Sequence, residues 1–283
     1  PWTHSITYLD QGCNFTRESK TVNCQGLNKT LLRESLQEVV TQLEQDEFEN
    51  GPALNESNSS SFVEEPSPGQ SNIRELIIFE SNVPKLTPDI IDSLGIGLEI
   101  LTLASSHLSE IRSDAFRTHA ETLVYLDLGR NQLDAIPSAI GNLRHLEVLD
   151  LRYNIIDHLP EETQFANLPH LRRLLLDHNK LGQLMEAQVR LGITSSGMSL
   201  TVFNLEPLRK SLIYLSLSHN NLSSLPDQFS QPFSKLQSLD VSYNLITTIN
   251  QLAFSQMSRL QYLDLSGNLL SVLHPYKLPH SLL

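Results

Sequence analysis

The strongest constraint on the fold of this chain is a pattern that recurs in phase from Ile73 onward. The template L-x-x-L-x-L-x-x-N-x-L fits eight segments, units 1 to 8, opening at Ile73, Leu98, Leu123, Leu146, Leu171, Leu212, Leu236 and Leu260. The start-to-start distances are 25, 25, 23, 25, 41, 24 and 24 residues. Unit 3 (Leu123-Val-Tyr-Leu-Asp-Leu-Gly-Arg-Asn131-Gln-Leu133) and unit 8 (Leu260-Gln-Tyr-Leu-Asp-Leu-Ser-Gly-Asn268-Leu-Leu270) are the clearest copies. A period of this length marks a unit too small to bury its own apolar face, which must therefore stack on its neighbours.

Within a unit the fourth and sixth positions share one face of a strand, because side chains alternate with period two. Stacking pairs the strands in parallel and merges leucines such as Leu126 and Leu128 into one core. The ninth position carries Asn131, Asn154, Asn179, Asn220, Asn244 and Asn268, with Ser81 and Ser106 in units 1 and 2. Buried backbone groups need partners, so these amides are expected to form a ladder that begins with shorter serine contacts. Phe116, Ile140, Phe165, Phe229 and Phe254 fall six or seven residues before the next unit opens. This recurrence predicts a packing spine on the far side.

These units, about 24 residues long, resemble the extracellular leucine-rich-repeat family of Toll-type receptors, small proteoglycans and neuronal adhesion proteins. The resemblance covers Ile73 to Leu283. It implies an α/β repeat fold: a solenoid with a curved parallel sheet on its concave side and an irregular or short-helical convex side. It also implies protein binding, usually on the concave sheet, and no active site. Cys13-Asn-Phe-Thr-Arg-Glu-Ser-Lys-Thr-Val-Asn-Cys24-Gln-Gly-Leu27 is similar to the second half of the family's N-terminal cap, which usually carries four cysteines rather than two.

The organisation expected is therefore a cap over 1–32, a linker region over 33–72 and the repeats over 73–283. Leu32, Leu36, Val39, Val40 and Leu43 recur at helical spacing, predicting a helix from Leu31 to Gln45. Beyond it the chain is acidic, serine-rich and broken by prolines, which predicts a mobile loop over Glu44–Gln70. The long gap between units 5 and 6 places an insertion near 182–200, read either as an irregular loop or as a degenerate short repeat. Lys277–Leu283 looks like the start of an incomplete unit without capping cysteines. Either more chain or a partner is expected to cover this end, so pairing through the uncapped C-terminal end is part of the reading.

The chain has 20 Lys+Arg against 32 Asp+Glu, a net charge of -12. Nine of the acids lie between Glu34 and Glu65, where there is no Lys or Arg. An acidic chain repels a phosphate backbone, so no nucleic-acid partner is expected. Apolar runs such as Leu174-Leu175-Leu176 are too short for membrane insertion. Pro1-Trp2-Thr3-His4 is not a leader, and a signal peptide is read as already removed. Cys13 and Cys24 stand as an isolated pair, expected as a disulfide with two free thiols as the alternative. Sequons at Asn14, Asn28, Asn55, Asn58 and Asn221 mark glycosylation sites and point to a secreted protein or the extracellular side of the cell surface.

No H-E-x-x-H, Gly-rich phosphate loop, G-x-S-x-G or Cys/His cluster occurs. His107, His119, His145 and His158 fall at unrelated places in their units and read as solvent-facing. Asp127, Asp150, Asp240 and Asp264 align at the fifth position, but Leu-Asp-Leu is a common form of the consensus. No catalytic residue, metal or cofactor is assigned.

The candidate site is a surface. Third, fifth and seventh positions point out of the concave sheet, and the eighth lies at its rim. They bring forward Tyr125, Arg173, Tyr214 and Tyr262 at the third position and Arg152 and Asp177 at the seventh. The eighth carries Arg130, Tyr153, His178, His219 and Tyr243. Tyrosine and arginine anchor protein interfaces, and strands ~4.8 Å apart spread eight units over roughly 34 Å. The alternative is that these are ordinary solubilising residues. The expected function is a non-catalytic extracellular protein-binding module, a receptor or adhesion ectodomain recognising a protein ligand. The alternative is a complete secreted carrier or regulatory subunit stabilising a smaller partner subunit or enzyme, as in a luciferase-type complex.

Overall fold

Ten strands lie side by side in one sheet, in chain order. This computed structural model describes residues 12–50, 73–182 and 202–282, apart from 96, 161, 226–228 and 231–232. The first two strands, Cys13–Thr16 and Thr21–Gln25, form an antiparallel hairpin. The other eight come one from each unit, from Glu75–Phe79 in unit 1 to Tyr262–Asp264 in unit 8, each parallel to the next. Their register is in phase: Tyr125 faces Val148, Val148 faces Arg173, and Arg173 faces Tyr214. Like positions therefore form straight columns across the sheet.

The fourth and sixth positions are the buried side, as the alternation requires. Leu126, Leu128, Leu149, Leu151, Leu174 and Leu176 are fully buried, and removing each from water contributes roughly 1.5–3 kcal/mol. Phe116, Phe165, Phe229 and Phe254 are buried along the opposite wall with Ile140. There, among the described residues, the chain makes two-residue strands, such as Lys85–Leu86 beside Glu110–Ile111, short turns of helix such as Ser138–Asn142, and one longer 3-10 helix over Val202–Lys210. The sheet side is built more regularly than the far side, so the array is an α/β leucine-rich-repeat solenoid.

A disulfide joins Cys13 to Cys24 across the hairpin. The helix covers Lys29–Asn50, starting earlier and ending later than the apolar spacing alone predicts. Asn28 caps its start, its Oδ1 accepting from the N–H groups of Thr30 and Leu31. Glu44–Asn50, assigned by composition to a loop, is helical because Glu and Gln continue the run without Gly or Pro. The rest of that expected loop, with Asn55 and Asn58, lies outside the described residues, as does nearly all of the insertion.

The long gap between units 5 and 6 leaves a trace all the same. Arg173–Leu175 pairs directly with Tyr214–Ser216, so no further strand comes between them. Among the described residues no helix is long and apolar enough to cross a membrane.

Candidate functional site

Each repeat strand is followed by a turn through the unit's eighth and ninth positions. Five of the six ninth-position asparagines are buried and Asn268 is half-buried, and their amides stitch neighbouring units together. Asn154 is typical: its Nδ2 donates to the carbonyls of Leu128 and Leu151, while its Oδ1 accepts from the Leu133 N–H. Asn131, Asn179, Asn220 and Asn244 repeat the arrangement. In units 1 and 2, Ser81 and Ser106 reach only their own Phe79 and Ala104 carbonyls and each accept one N–H from the preceding turn.

Turning the asparagine inward forces the residue before it into the left-handed region. The eighth positions Glu80, Ser105, Arg130, Tyr153, His178, His219 and Tyr243 have φ between 48° and 57°, and Gly267 has 64°. A side chain in this region costs about 1–2 kcal/mol. A lateral hydrogen bond offsets it: the N–H groups of Arg130, Tyr153, His178, His219 and Tyr243 donate to the seventh-position carbonyl of the next unit.

That geometry aims five side chains into one row. Tyr153 and His178 stack with centroids 4.1 Å apart, His178 and His219 at 4.0 Å, and His219 and Tyr243 at 4.4 Å. The Arg130 guanidinium lies 4.2 Å over Tyr153. The far end closes on Gly267, where an added Cβ would come within 2.6 Å of the Tyr243 ring. Stacking consumes the ring faces and leaves the edges outward; Tyr153 is 39% and Tyr243 56% exposed. Ser218 Oγ holds His219 Nδ1 at 2.7 Å. Desolvation, then the neighbouring His219, keeps the His178 imidazole below its ordinary pKa, so the stack favours a neutral ring there.

The inner columns are organised differently. The Arg173 guanidinium lies 4.7 Å over the Tyr214 ring. Burial first, then Asp177, raises the Tyr214 phenol above its usual range. The fifth-position aspartates turn back on the backbone: Asp127, Asp150, Asp240 and Asp264 each accept from the N–H two residues on. Asp177, expected to point outward, is buried and accepts from Ser216 Oγ and the Ser218 N–H. Asp150 is buried as well, and Arg152 grips it through Nε at 2.9 and 3.0 Å and through a second nitrogen. That hydrogen-bonded carboxylate holds the guanidinium's pKa above normal. Arg152 is thus the counter-charge of a buried acid before it is anything else.

The structure corrects the reading of His119, which is fully buried with Nε2 3.2 Å from the Ile91 carbonyl. Desolvation lowers its pKa. Tyr125 and Tyr262 sit in the third-position column but face Val148 and Ser238, not each other. Of the sequons, Asn14 and Asn28 are exposed and Asn221 is half-buried. Phe79 escaped notice as a site residue; its large ring at an outward seventh position, 37% exposed, was the available signal.

Comparison with known proteins agrees with this geometry. The leucine rich repeat family model matches residues 96–156, 136–181 and 210–270, together more than half of the chain. Lumican of Gallus gallus is 30% identical over 170 residues, 60% of this chain and 43% of that protein. Toll-like receptor 3 of Boselaphus tragocamelus is 33% identical over 181 residues, 59% of this chain and 18% of its own length. The chain thus spans less than half the length of these curated relatives. A solved structure, that of the Drosophila Toll–Spatzle complex, superposes with a TM-score of 0.54 at 21% identity, covering 71% of this chain and 24% of that one. Fold, ladder and matched segments agree: the chain belongs to the leucine-rich repeat family, with repeats of the extracellular type.

Proposed function

We propose that this chain is a non-catalytic extracellular module that binds a protein ligand across its concave face. The observation that carries the reading is the row from Arg130 to Tyr243. It is a continuous stack of aromatic and cationic side chains that present their edges outward, arranged within the chain itself. Side chains already immobilised lose little entropy on binding, and Tyr and Arg supply most interface energy. The relatives support a receptor or matrix role, since lumican and Toll-like receptor 3 share these repeats. Neither the geometry nor the comparisons favour the carrier-subunit alternative.

The test is affinity capture from the native extracellular fluid with the glycosylated chain, followed by measurement of the purified partner. Tyr214→Ala and Tyr243→Ala should each weaken binding about tenfold, with Gln256→Ala, exposed away from the sheet, unchanged. Normal binding by both tyrosine variants sinks the concave-face reading.

A further inference from the structure

The seventh-position column changes size abruptly. It runs Phe79, Ala104, Gly129, Arg152 through units 1 to 4. Two small residues between two large ones leave a cavity of about 350 Å³ on the concave face, lined also by Thr102, Asp127, Arg130 and Tyr153. Gly129 adds no side chain to this space, and a Cβ there would press on Asp127 Oδ1 at 3.0 Å.

The charges in this cavity are unequally committed. Arg152 is clamped by Asp150, and Arg130 lies on the Tyr153 ring. Asp127 accepts the Gly129 N–H at 2.7 Å, and no ion pair to it is found among the described residues. Burial first, then the Asp150 charge, raises its pKa, while the Gly129 N–H and Arg152 oppose this. A half-buried carboxylate in that position gains from an added cation. The wider face has the same bias: its third, fifth, seventh and eighth positions carry seven acids, of which Asp150 and Asp177 are buried, against three arginines.

We propose that this cavity is the anchor pocket for a lysine or arginine side chain of a basic protein ligand. The methylene stem packs on the exposed Phe79 ring, and the cationic head pairs with Asp127. The proposal rests on the reading of the concave face as a protein-binding surface, and adds the chemistry of the residue that enters it.

The test needs no captured partner. N-acetyl-arginine methylamide, its uncharged isostere N-acetyl-citrulline methylamide and N-acetyl-glutamate methylamide are titrated into the full glycosylated chain. The Gly129, Thr102 and Ser242 amide resonances are followed by NMR. The arginine probe should shift Gly129 and Thr102 saturably, leave Ser242 in place, and bind about tenfold more tightly than citrulline. Asp127→Asn, which keeps an acceptor for the Gly129 N–H, should erase that preference, and Phe79→Ala should weaken the arginine probe. Thermal melts establish that both variants are folded. Equal binding of arginine and citrulline, tighter binding of glutamate, no saturable shift at Gly129, or an unchanged preference in Asp127→Asn each overturns the proposal. Those results leave the tyrosine-variant test of the concave face untouched. Failure of that test beside a bound arginine probe removes only the protein-ligand reading.

Discussion

The asparagines at the ninth position and the side chains at the eighth are neighbours in sequence, and both run as ladders along the molecule. The asparagine ladder is buried and bonded to backbone on both sides. The ring ladder is held mainly by its own stacking, with one side-chain hydrogen bond between Ser218 and His219, and shows its edges to solvent. The first exists because a turn buried between units has carbonyls and N–H groups that water cannot reach. The second exists because that turn puts the preceding residue at positive φ and aims its side chain outward. One ladder is a condition of folding, and the other is a surface made available by it. Unit 4 sets the difference out in three consecutive residues, Arg152, Tyr153 and Asn154.

The largest effect belongs to Asn154. Asn154→Ala leaves the Leu133 N–H without its buried partner and takes one of two amide donors from each of the Leu128 and Leu151 carbonyls, which Asn131 and Asn179 still reach. A stranded buried N–H costs about 1–3 kcal/mol and each lost hydrogen bond about 0.5–1.5 kcal/mol, so the expected loss is about 3 kcal/mol, read by denaturant unfolding. Asn154→Asp, which keeps the acceptor and loses the donors, should not recover it. A loss of less than about 1 kcal/mol breaks the claim that this ladder holds neighbouring units together.

Next comes Arg152. Sequence alone places it as a free outward cation, whose removal should leave stability intact. The structure makes it the partner of buried Asp150. Arg152→Ala should therefore destabilise by about 2 kcal/mol, below the value for a fully buried pair because the guanidinium is half exposed. Adding Asp150→Asn should restore part of the loss, since the uncompensated charge is then gone. Additivity of the two losses is the result that refutes the pairing.

Much of this was legible beforehand, and the boundary is physical. Period-two alternation fixed which leucines turn inward, and the asparagine spacing announced the ladder, because both follow from backbone geometry common to every unit. Which aspartates stay free was not readable: Asp127 and Asp150 occupy the same position, and only the long arm at residue 152 separates them, since unit 3 has Gly129 where unit 4 has Arg152. The stack was hidden for a similar reason. Tyr, His, His and Tyr read as four separate surface residues until the shared positive φ lines up their rings. His119 stands three residues after the spine residue Phe116, where other units place buried Leu143, Leu168 and Met257, so the spine's period held the signal and the polar residue type masked it.

The smallest effect tests the comparison most closely. Tyr153 touches the Arg130 guanidinium on one face and the His178 ring on the other. Contacts of this kind at an exposed site are worth about 0.5–1.5 kcal/mol, so Tyr153→Ala should lower stability by about 1 kcal/mol. Alanine keeps the strain of a left-handed residue at φ 57°, whereas glycine releases it at little steric cost. Tyr153→Gly should accordingly be more stable than Tyr153→Ala, by about 0.5–1 kcal/mol, although it removes the same ring. At the neighbouring Asn154 no such recovery is available, because the lost groups there are hydrogen-bond partners rather than a strained φ. Denaturant curves for the four variants, Ala and Gly at each of the two positions, decide the matter. If Tyr153→Ala costs as much as Asn154→Ala, the ring ladder is itself part of what holds the units together, and the division between the two ladders fails.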